Sequence, residues 1–150
     1  MAQRQLETIY CDDIRHELGG KVSYIGVYNG QMWVQEFPIV LPKLCVAYKI
    51  VLPDGTPTDS LKIIIYRDDV VLFETELADL PDVKSLVAEK QAQGIEAVMA
   101  IQNGVIFSPL VIDAPCRIRI NVKTSDGQVT KATALEIRQP PEGFQLQGQN

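Results

Sequence analysis

Three dipeptides constrain this chain more than any other feature. Asn29-Gly30, Asn103-Gly104 and Asp126-Gly127 each stand between two apolar runs. A two-residue hairpin loop of the commonest kind needs positive φ at both central residues, which Asn, Asp and Gly tolerate best. The three dipeptides therefore predict hairpins joining residues 22–28 to 31–37, 96–102 to 105–112, and 117–123 to 129–137. A fourth, Asp54-Gly55, lies in a Pro- and Thr-rich stretch at 53–59 and reads as a longer loop.

Alternation between these turns supports strands. Ile118, Ile120 and Val122 share one face, and Arg117, Arg119, Asn121 and Lys123 the other. Leu44, Val46, Tyr48, Ile50 and Leu52 repeat the pattern. So do Leu61, Ile63 and Ile65, although Ile64 and Tyr66 fill the opposite face, which suits a central or covered strand. Arg67-Asp68-Asp69 turns the chain into 70–77. Period two is broken once: Val83, Leu86 and Val87 are spaced i, i+3, i+4, with Pro81 before them and Gly94 after, which predicts one helix over 81–93.

Nine or ten short strands in some 140 residues predict two packed sheets. The expected fold is all-β, an antiparallel two-sheet sandwich of immunoglobulin-like type, with a small barrel as the alternative. The disulfide hallmark of that fold is missing, because no Trp separates Cys45 from Cys116 and Trp33 precedes both. Residues 1–138 read as a single domain and 139–150, rich in Gln, Gly and Pro, as a flexible polar tail.

Charge and cysteine usage narrow the function. A net charge of −5 disfavours nucleic acid as the main partner. No apolar segment approaches the roughly 20 residues of a membrane helix. The N-terminus carries no apolar signal segment, and three spaced cysteines form no C-x-x-C, so a reduced, cytoplasmic setting is expected.

The densest polar cluster is Cys11-Asp12-Asp13-Ile14-Arg15-His16-Glu17. It holds the only imidazole, a thiol and carboxylates, donors a metal could use. With no second His and no paired Cys, a charged turn at Gly19-Gly20 is the simpler reading, and no metal or cofactor is expected. Catalysis is not expected either: there is no G-x-S-x-G, and Gly19-Gly20-Lys21-Val22 lacks the features of a phosphate-binding loop. A hydrolase using Asp12, Asp13 and His16 ranks third among the readings.

Residues 11–46 contain CDDIR, then GGK, SYIGVY and an LPKL element. This stretch resembles the start of an uncharacterised bacterial domain-of-unknown-function family that shares CDDIR, a Gly-Lys pair followed by S-x-x-G-x-Y, and LPKL. The resemblance implies a small, soluble bacterial protein and no activity. Its positions here are Cys11 to Arg15, Gly20, Lys21, Ser23, Gly26, Tyr28, Met32 and Leu41 to Leu44.

Physical chemistry also singles out this region. Asp12, Asp13 and Arg15 are expected to join cross-strand ion pairs in which Lys21 or Lys43 takes part, and Gly26 in mid-strand marks a bulge or a close backbone approach. Tyr24 and Tyr28, with Trp33 on the following strand, form either an aromatic platform or ordinary cross-strand packing. The candidate binding surface is thus Asp12, Asp13, Arg15, His16, Lys21, Tyr24, Tyr28, Trp33 and Lys43. A second candidate is the basic face of Arg117, Arg119 and Lys123, in a segment (114–138) with five cationic residues against two carboxylates. The expected function is a non-enzymatic binding or assembly module whose partner is another protein or a second copy. A small-ligand sandwich using the aromatic face is the alternative.

Overall fold

The computed structural model describes residues 3–52, 60–80 and 84–144. A four-stranded antiparallel sheet has the order β2 (Val22–Val27), β1 (Gln5–His16), β5 (Leu44–Leu52), β8 (Met99–Phe107). A second sheet runs β3 (Gln31–Trp33), β12 (Leu135–Arg138), β10 (Cys116–Thr124), β6 (Ser60–Arg67), β7 (Val70–Ala78), and β11 (Val129–Lys131) also pairs with β10. Its one parallel contact is β3 with β12. A two-stranded ribbon pairs β4 (Ile39–Leu41) with β9 (Leu110–Ile112). Neither sheet closes on itself, so the small barrel is excluded.

One core serves both sheets. Leu6, Tyr10, Val46, Tyr48, Ile50 and Leu52 come from the four-stranded sheet, and Leu61, Ile63, Ile65, Ile118, Ile120 and Val122 from the other. Tyr10 ties them together: its hydroxyl donates to the Thr133 carbonyl at 2.8 Å, and burial pushes the phenol up to about 12. The ribbon adds Leu41, Leu110 and Ile112. The alternation read in β6 and β10 is the alternation of burial, with Ile118, Ile120 and Val122 fully buried and Arg117 and Lys123 exposed; in β5 it holds from Tyr48 to Leu52, while Cys45 and Ala47 on the opposite face are buried too.

Turn chemistry fared less evenly. Asp126-Gly127 does close the β10–β11 hairpin, and Asp68, at φ 51, turns β6 into β7. Asn29-Gly30, by contrast, is no hairpin: β2 and β3 lie in different sheets, and the dipeptide carries the chain between them. Asn103-Gly104 is not a turn at all. Strand β8 runs straight through it, in unbroken register with β5 from Leu44↔Phe107 to Leu52↔Met99. Asn-Gly permits a turn without requiring one, and a nine-residue partner strand outweighs that local preference. Asp54-Gly55 lies outside the described residues.

The helix, α1, spans Lys84–Ala92 and links β7 to β8; the first three residues of the expected span, 81–83, lie outside the described residues. Val87 is its buried contact. At the other end of the chain, residues 139–144 turn back along β3: Gln139 donates to the Gln35 carbonyl at 2.9 Å, and the Phe144 ring lies 5.5 Å from Trp33. Among the described residues, no helix is long and apolar enough to cross a membrane.

Candidate functional site

Strand β1 pairs with β5 as far as Cys11↔Cys45 and then continues with β2 alone, through Asp13↔Ile25 to His16↔Val22. Past Cys11 this hairpin leans over the outer face of the four-stranded sheet. The bend is built from three elements. First, the Cys11 and Cys45 thiols donate to the carbonyls of Asp13 (3.4 Å) and Asp12 (3.7 Å). Second, Asp12 is directed at Gly26 and accepts a hydrogen bond from the Tyr28 hydroxyl. Third, Lys43 donates to Asp13 at 3.0 Å, with Arg15 3.5 Å away on the other carboxylate oxygen.

The tip of the hairpin reaches β8. The Ile14 methyl Cδ1 sits where a Cβ on Gly104 would be only 2.8 Å away, so the glycine lets that side chain pack closely and makes no turn. Gly104 pairs with Ala47, and both face away from the core because Val46, Tyr48 and Val105 face into it. Between hairpin and sheet lies a cleft of about 270 Å³. Ile14, His16, Val22 and Tyr24 line it from above, and Ala47, Gln102, Asn103, Gly104 and Ile106 from below. It contains no carboxylate, Lys or Arg; its polar groups are one imidazole, one phenol and two amides.

The structure therefore divides the binding surface read from the sequence. His16 and Tyr24 meet in the cleft. Asp12, Asp13, Arg15, Lys43 and Tyr28 belong to the bend beside it. Burial and then the Asp12 carboxylate raise the Tyr28 phenol, while Lys43 holds the Asp13 carboxyl below its ordinary value. Lys21 is exposed; its carbonyl accepts the Glu17 amide at 2.8 Å. Trp33 is not on the strand beside Tyr24: it lies in β3 of the other sheet against Phe144, so a platform of Tyr24, Tyr28 and Trp33 does not form. Gln102, Asn103, Gly104 and Ile106 were missed because the dipeptide among them reads as a turn. Glycine in mid-strand was the signal that could have found them. Among the described residues, no group of three or more His, Cys, Asp or Glu side chains is placed to hold a metal ion.

The basic face is less cationic than its sequence. Arg117 contacts Glu136 at 2.6 Å, and Arg138 grips the same carboxylate. Arg119 stacks 4.2 Å over Tyr66 and donates to the Asp68 carbonyl at 3.1 Å; Arg117, though paired, is still exposed, as is Lys123. Arg138 and then Arg117 hold Glu136 below its ordinary value, and Asp126 is lowered by the Thr124 hydroxyl, the Gln128 amide and Arg4. A carboxylate depressed in the fold contributes stability above its unfolded pKa and loses it as pH falls through the folded one. The urea midpoint should accordingly be flat near neutrality and drop below about pH 4. In Glu136→Gln the drop should be shallower; an identical acid limb would show that Glu136 plays no part in it.

No protein-family model matches the chain, and no curated protein or solved structure matches it either.

Proposed function

We propose that this chain is a non-enzymatic binding module, built as an immunoglobulin-like sandwich, which meets its partner through the outer face of the four-stranded sheet. The simplest partner is a second copy. One observation carries the reading: the two outer faces differ in kind. Over the six-stranded sheet the outward positions include Arg117, Arg119, Lys123, Lys62, Glu74, Glu136 and Arg138, and these charged side chains flank the apolar Ile64 and Tyr66 there. Over the four-stranded sheet they include Ala47, Gly104, Ile106 and, from the hairpin, Ile14, Val22 and Tyr24. Ile106 is 54% exposed, and the Glu7–Lys49 ion pair and His16 lie around this apolar centre. An apolar patch rimmed by polar groups marks a contact surface.

The immunoglobulin-like assignment is supported by strand order. The path β1-β5-β8 in one sheet and β12-β10-β6-β7 in the other, with β3 running parallel to β12 at the edge, follows the A-B-E and G-F-C-C′ pattern of such sandwiches. A small, cytoplasmic bacterial protein fits the CDDIR resemblance and the three free cysteines. A binding role fits the polar cluster as well, because Asp12 and Asp13 are engaged by Tyr28 and Lys43 in shaping the bend.

Sedimentation equilibrium at micromolar concentrations tests the proposal. The native chain should sediment as a species heavier than 16.7 kDa, and Ile106→Asp should return it toward that mass. A single species at 16.7 kDa across the range, unchanged by salt, would remove self-association. A different protein would then be the main alternative partner, and a small-ligand module is the second reading, favoured by the cleft: a cavity near 150 Å³ already takes benzene, so one of 270 Å³ has room for a larger ring compound.

A further inference from the structure

Cys11 and Cys45 are not isolated buried hydrophobes. They are direct register partners on β1 and β5, both fully buried and both free. Their thiols donate to the carbonyls of two adjacent residues, Cys11 to Asp13 and Cys45 to Asp12. Partners in an antiparallel pair stand about 4.5–5.5 Å apart at Cα, inside the roughly 4.4–6.8 Å that a disulfide spans. Cys116, on β10 in the other sheet, has no cysteine partner on its neighbouring strands.

We propose that Cys11 and Cys45 are a modification site, at which hydrogen peroxide converts the two thiols into an intrachain disulfide. The Cys11 or Cys45 thiolate takes one oxygen from peroxide, giving a sulfenic acid and releasing hydroxide. The other sulfur then attacks it; the S–O bond breaks, the S–S bond forms and water leaves. Two thiols are oxidised and one peroxide is reduced to two waters. Burial slows the first step, because it disfavours the thiolate that reacts. The same event removes both S–H donors from the Asp12 and Asp13 carbonyls, at the bend that holds the hairpin over the cleft.

The test treats the intact, reduced protein with hydrogen peroxide. The expected product has lost two hydrogens in mass, and trypsin releases peptides 5–15 and 44–49 as one linked species while Cys116, in peptide 91–117, stays free. Dithiothreitol should reverse the change. In Cys45→Ser, which keeps a hydroxyl donor at that position, the link should be absent while circular dichroism shows the fold intact. The proposal is overturned if the mass is unchanged under conditions that fully oxidise glutathione. It is equally overturned if Cys116 reacts as fast as the pair, or if sulfinic acids or linked chains form instead.

Discussion

Replacing Gly26 by alanine should lower the unfolding free energy by about 2–4 kcal/mol, more than any other glycine-to-alanine change in the β1–β3 region. Two costs combine at this position. The backbone sits at φ +67, where a Cβ alone costs roughly 1–2 kcal/mol. That Cβ would also lie 2.2 Å from Asp12 Oδ2 and 3.0 Å from Asp12 Cβ, too near the root of the side chain for a simple rotation to relieve. Gly30 isolates the first cost: φ is +81, but nothing lies within 4 Å. Gly30→Ala should therefore cost about 1–2 kcal/mol. In Asp12→Ala/Gly26→Ala the combined loss should be smaller than the sum of the two single losses, because each change relieves part of the other's cost. Equal losses at Gly26 and Gly30 in urea unfolding would mean that Asp12 does not pack on Gly26.

Ile120→Ala should cost about 3–5 kcal/mol, a large share of the roughly 5–15 kcal/mol that holds such a domain folded. Ile120 is fully buried on β10, paired with Ile65 of β6, and lies in the core that both sheets line. The neighbouring strands cannot close over the space without breaking their ladders. Arg119, one residue away, projects to the opposite face and over Tyr66, so Arg119→Ala should cost about 1 kcal/mol or less. Urea titrations compare the two directly, with an unchanged slope indicating that only stability has moved. Similar losses would contradict the assignment of faces in β10.

Much of the fold was legible from alternation. In β10 the apolar residues recur every second position, and in β6 and the second half of β5 burial does the same, because a pleated strand turns alternate residues to the core. The break of that period near Val83, Leu86 and Val87 marked α1 for the same reason. Asp68-Asp69 and Asp126-Gly127 were legible as turns because their flanking strands pair with each other.

Part of the site was legible too. His16 and Tyr24 do meet, and Lys43 does pair with Asp13. Trp33 was assigned to the wrong neighbourhood because Asn29-Gly30 looks the same whether the chain turns back or crosses to the other sheet. Arg117 and Arg119 looked free because Glu136 and Tyr66 are distant in sequence and adjacent only through strand pairing. The pairing of Cys11 with Cys45 was hidden in the same way, by 34 positions of chain.

The sequence by itself determined the core-facing residues of β6 and β10, that the chain is mostly strand, and where its helix falls. Each of these follows from local period and local backbone preference, which are properties of a few neighbouring residues. Only the tertiary structure decided that Asn103-Gly104 lies inside a strand, that the β1–β2 hairpin leans over the sheet, and that a cleft opens beneath it. Those features depend on which strand becomes whose partner, a choice made by long-range burial among many apolar strands of similar period, and local pattern carries no record of it.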